Sequence, residues 1–92
     1  MKITKAQLSP EPTDGRFYVF CNTLTIAKFG LIFDIELNED DLFQVHTIIE
    51  YGNKKIDDKS IYDHAKEKFD KSFNEALDEF VKRLVSRNNP GN

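Results

Sequence analysis

A single cysteine, Cys21, stands among the 92 residues, which excludes an intramolecular disulfide framework. Apolar runs are a few residues long, as at Leu31 to Phe33, against the roughly 20 that a membrane-spanning helix requires. The opening MKITKAQL lacks the apolar core and small-residue cleavage site of a signal peptide, so the expectation is a cytoplasmic protein with no membrane segment. Positive charge does not predominate either. With 13 Lys and Arg against 16 Asp and Glu, and no basic stripe, direct nucleic-acid binding through the phosphate backbone is not expected. The GxGxxG and GxxxxGK phosphate loops, the HExxH zinc helix and the GxSxG nucleophile elbow are all absent. The expectation is therefore a non-enzymatic protein without catalytic residues, cofactor or metal.

The acidic excess is local. Residues 1–41 carry four basic and seven acidic side chains, whereas residues 42–92 carry nine of each. It gathers at Asp34, Glu36, Glu39, Asp40 and Asp41. Clustered carboxylates suit a hard cation, but a calcium loop needs Gly at its sixth place and Glu at its twelfth; counting from Asp34, these are Glu39 and Val45. A contact surface for a basic partner, or a solvated strand end, fits the run better. Cys21, His46 and His64 are too few and too scattered for a zinc site or a nucleophile pair, and Cys21, read as part of an apolar strand, is expected to be a buried, inert thiol.

Against these absences stand eight Phe and three Tyr in a chain that is 39% apolar, enough bulk for one core and too little length for two. Met1 to Leu8 reads as a short edge strand, followed by a loop, Ser9 to Gly15, that holds two of the three prolines. Arg16 to Cys21 puts Phe17, Val19 and Cys21 on one face and Tyr18 and Phe20 on the other, the pattern of a central strand. Leu24 to Phe29 reads as a further strand, with a one-turn helix ending at Gly30 as the alternative. Leu31 to Leu37 alternates cleanly as a half-buried strand. Leu42 to Tyr51 admits two readings: a helix capped by Asn38, or a β-branched strand, which is preferred here, turning at Gly52-Asn53 into Lys54-Lys55-Ile56.

From about Ser60 the period becomes 3.6, with Ile61, Ala65, Phe69, Phe73, Leu77, Phe80 and Leu84 on one stripe and Glu67–Lys71, Asp78–Lys82 and Glu79–Arg83 four apart on the outside. Phe69, Phe73, Leu77, Phe80 and Leu84 are expected to be buried. A straight helix to Arg87 would be about 42 Å long, and Ser72-Phe73-Asn74-Glu75 has the form of a capping box, so a kink or break is expected there. The prediction is an α+β fold: a small, mainly antiparallel β-sheet of about three to five strands with a C-terminal amphipathic helix or broken helix pair on one face. It forms one domain over 1–92, with 1–56 mainly β, 57–87 helical and 88–92 a frayed tail.

If the helix covers one face only, Tyr18, Phe20 and Ile32 form an exposed apolar patch on the other, and such patches mark interfaces. The function expected is protein–protein interaction through Tyr18 and Phe20 or through the acids Asp34, Glu36, Glu39, Asp40 and Asp41. The partner expected is a larger protein or ribonucleoprotein with a basic surface, or a second copy in a homodimer. Single-stranded nucleic-acid binding through the sheet aromatics is the alternative. In size and mild acidity the chain is similar in general character to phage or mobile-element accessory proteins that bind and inhibit host complexes, anti-CRISPR proteins among them.

Overall fold

A computed structural model describes residues 1–10 and 15–87. The elements run β1 (Lys2–Leu8), β2 (Phe17–Phe20), β3 (Thr23–Lys28), β4 (Leu31–Glu36), α1 (Glu39–Gly52) and α2 (Lys59–Arg87). The strands form one antiparallel sheet in the order β1-β4-β3-β2, and the helices pack on it in an α+β arrangement. The expected C-terminal fray lies outside the described residues.

Period-2 alternation decides which face each strand buries. Ile3 stands opposite Ile35, and Leu24 and Ile26 opposite Ile35 and Phe33, so these side chains share the face on which the helices lie. They join Val45 of α1 and Phe69, Phe73 and Ala76 of α2 in the core. Phe73 is fully buried at its centre, edge-on to Phe33 at 5.5 Å and stacked on Phe69 at 6.3 Å between ring centroids.

Both β-hairpins turn in two residues. At Cys21-Asn22 only the first residue has positive φ; at Phe29-Gly30 both do, with φ of 57° and 74°, the signs of a type I′ turn that suits the sheet twist. The turn at Cys21 ends β2 one residue early, so Cys21 is an exposed turn residue and not the buried strand thiol expected. β2 itself is an edge strand, not a central one. Its aromatic density reflects exposure on both sides of a short strand rather than burial.

Leu42 to Tyr51 is helical, which corrects the strand reading. Capping overrides β propensity here. The Asn38 side chain accepts a hydrogen bond from the Asp41 backbone N–H at 2.8 Å, and Glu39, Asp40 and Asp41 place negative charge at the positive end of the helix dipole. The β-branched Thr47 is accommodated by donating its hydroxyl to the Phe43 carbonyl at 3.0 Å.

α2 runs unbroken for 29 residues, without the expected break at Ser72. A break there would have displaced Phe73 from the core. The cost of continuity appears further on: the helix is about 43 Å long, whereas the longest strand, of 7 residues, spans about 23 Å. α2 therefore overshoots the sheet. Leu84, expected to be buried, is 39% exposed, Ile61 is also exposed, and Leu77 and Phe80 are half-buried. Of the three acid-first pairs, only Asp78–Lys82 closes as an ion pair, at 3.0 Å; Arg83 instead donates to the Ile3 carbonyl at 3.0 Å, pinning α2 to β1.

Candidate functional site

The face of the sheet turned away from the helices carries the exposed residues, and strand register arranges them in rows. Lys2 stands opposite Glu36, Glu36 opposite Thr23, and Thr23 opposite Phe20. The next row is Lys5, Asp34, Thr25 and Tyr18. Directly opposed residues share a face, so the surface reads in columns: basic on β1, acidic on β4, hydroxyl on β3, aromatic on β2. A bulge between Ile3 and Lys5 keeps both lysines in line. Phe20 is 77% and Tyr18 67% exposed.

Sequence reasoning placed Tyr18 and Phe20 in one candidate surface and the five acids in another. The structure divides them differently. Asp34 and Glu36 join the aromatics on the open face, two strands away, a separation of about 9.5 Å at about 4.8 Å per strand. Asp34 is fixed from the aromatic side, where the Thr25 hydroxyl donates to its Oδ1 at 3.3 Å. Glu39 and Asp40 are exposed on the first turn of α1. Asp41 is 3% exposed and its Oδ2 accepts from the Met1 ammonium at 2.6 Å, so it fastens the start of β1 to α1 and presents nothing to a partner. Ile32 lies on the open face opposite Ala27, half-buried.

Thr23 and Thr25, the floor between the acidic and aromatic columns, were not singled out from sequence; period-2 alternation around Leu24 and Ile26 was the signal available for them. The arrangement has one clear chemical aptitude. Carboxylates on one side and exposed aromatic ring faces on the other, across a polar floor, suit a long cationic side chain that pairs with the first and lies against the second. Metal chemistry has less to work with: among the described residues no three His, Cys, Asp or Glu side chains converge to hold an ion. His46 and His64 are exposed on different helices, away from the Cys21 turn in sequence and in element. Among the described residues no helix is long and apolar enough to cross a membrane.

No protein-family model matches the chain, and neither a curated protein nor a solved structure gives a match. The class is thus defined by the fold alone, a small α+β domain with helices packed on its antiparallel sheet.

Proposed function

We infer that the protein is a non-enzymatic interaction module, acting in the cytoplasm, whose open sheet face docks on a larger protein by taking its basic side chains between Asp34 or Glu36 and Tyr18 or Phe20. The observation that carries this is the register: the two rows repeat the same acid, threonine and aromatic sequence of side chains on adjacent levels of the face turned away from the helices. Inhibition of a host complex by a phage or mobile-element accessory protein is one form that such docking takes. Base stacking on Tyr18 and Phe20 is the weaker reading, because Asp34 and Glu36 repel phosphates at the middle of the same face.

The test is affinity capture from the native host, followed by binding kinetics of the recovered partner at two salt concentrations. Tyr18→Ala and Phe20→Ala are expected to speed dissociation by tenfold or more, on the order of a buried aromatic anchor. Asp34→Lys with Glu36→Lys should slow association and flatten its salt dependence. Glu39→Lys with Asp40→Lys, on α1, serves as the control and should do neither. A partner held equally by all three variant sets overturns the assignment of this face, and sedimentation separates a foreign partner from a second copy of the chain.

A further inference from the structure

A second feature lies on the opposite side of the sheet. Between β2, β3 and the two helices is an apolar cavity of about 240 Å³, walled by Phe17, Leu24, Ile26, Val45, Ile48 and Phe69. Gly15, Lys28, Phe29 and Lys66 complete its lining. The two ammonium groups differ. Lys66 is neutralised by Asp70, whose carboxylate oxygens lie at 2.8 and 2.9 Å from its Nζ. Among the described residues Lys28 makes no ion pair or hydrogen bond; its side chain is half-buried, and its ammonium lies 4.9 Å from the Phe73 centroid and 5.5 Å from that of Phe29. An ammonium held on two aromatic rings, with no anion beside it among the described residues, is free to take an anionic ligand. Phe29, whose left-handed φ of 57° belongs to the β3–β4 turn, borders the same cavity.

We propose that this cavity binds a small amphipathic monocarboxylate, with the carboxylate on Lys28 Nζ and the hydrocarbon among Leu24, Ile26, Val45, Ile48 and Phe69. One uncompensated ammonium calls for a single negative charge; a dianionic phosphate would be half unpaired. A neutral apolar ligand would strip water from Lys28 and give nothing back. The volume sets the tail. It exceeds the ~150 Å³ that admits benzene and falls below the ~300 Å³ at which drug-sized pockets begin, so a medium-length chain or a single ring fits.

Octanoate, octan-1-ol and octylamine titrated into the ¹⁵N-labelled protein test this by amide chemical shifts. Octanoate should produce saturable shifts at Leu24, Ile26, Phe29, Val45, Ile48 and Phe69 and leave Tyr18, Phe20, Asp34 and Glu36 unmoved. Octan-1-ol should bind at least about tenfold more weakly, the worth of one charge-assisted hydrogen bond, and octylamine should not bind. Lys28→Gln should abolish the preference, octanoate binding no more tightly than octan-1-ol to the same variant. The proposal is overturned by equal affinity for acid and alcohol, by shifts on the open sheet face, by full octanoate affinity in Lys28→Gln, or by no shift below about 10 mM. Should Lys28→Gln fail to fold, the comparison of the three ligands on the unaltered protein still decides.

Discussion

Two glycines, given the same added methyl group, should move stability in opposite directions. Gly30 sits at φ 74° in the β3–β4 turn; Gly52 is the last residue of α1, outside the left-handed region. At both positions a Cβ would meet nothing within 4 Å, so packing is removed from the comparison and only backbone conformation remains. An L-residue in the left-handed region costs about 1–2 kcal/mol, and replacing Gly by Ala returns about 0.4–1 kcal/mol by restricting the unfolded chain. Gly30→Ala should therefore lose on the order of 1 kcal/mol. At Gly52 the first term is missing, and Ala should gain about 0.5–1 kcal/mol. For a domain of this size each kcal/mol moves Tm by about 4–8 °C, so the two variants should melt at least about 6 °C apart, one below and one above the unaltered protein. Thermal and urea melts followed by circular dichroism measure it. A Gly30→Ala variant stabilised as much as Gly52→Ala would refute the turn assignment and with it the β3–β4 register that builds the open face.

Phe73→Ala, at the fully buried centre of α2, should cost about 3–5 kcal/mol in chemical denaturation, and the same change at half-buried Phe80 clearly less; equal losses would mean that α2 does not overshoot the sheet. Asp58 accepts from the Ser60 hydroxyl at 2.6 Å and from its backbone N–H at 2.9 Å at the start of α2, and the side-chain bond first, then the backbone bond, hold its carboxyl below the ordinary 3.8. A depressed carboxyl stabilises the fold above its unfolded pKa and loses that contribution as pH falls through the folded value, so NMR titration should find Asp58 below 3.8 and Ser60→Ala should move it up. Cys21 is exposed in the β2–β3 turn and should react stoichiometrically with a thiol reagent in the native protein; protection until unfolding would restore the buried-strand reading.

The elements legible in the sequence are those whose periodicity had no competitor. Leu31–Leu37 alternates without ambiguity, and the 3.6-residue stripe from Ser60 onward is too long to be anything but a helix. At Leu42–Tyr51 both readings were legible, and the β-branched residues with their alternating pattern outweighed the deciding term, the Asn38 cap with three acids behind it. The aromatics of β2 were legible as two-faced, but two-faced hydrophobicity is equally the mark of a central strand and of a short edge strand with an interface. Tyr18, Phe20, Asp34 and Glu36 were each recognisable; their convergence was not, because it depends on turns whose positions set the register to the residue. Lys28 and Phe29 were legible only as the end of a strand, Leu24 to Phe29. The signal for them was Phe29-Gly30 itself, a two-residue turn between two alternating runs that must place the preceding lysine on the helix side.

The two edges of the sheet are defended unequally, and this bears on how a partner approaches. β1 carries Lys2, Lys5 and a bulge, devices that discourage a further strand from pairing. β2 has no charge from Phe17 to Phe20, and its protection is its shortness, 4 residues. A strand added beside β2 would set its side chains one spacing, about 4.8 Å, from the Tyr18 and Phe20 column, but three spacings, about 14 Å, from Asp34 and Glu36, beyond the reach of a single side chain. A partner descending onto the face meets both columns at once. Edge addition therefore draws on the aromatics alone, and face docking on aromatics and carboxylates together. The response to Asp34→Lys and Glu36→Lys separates these two geometries even where the response to Tyr18→Ala is the same. The Thr25 hydroxyl, which holds the Asp34 carboxylate on the aromatic side although Lys5 stands opposite on the other, favours the approach from above.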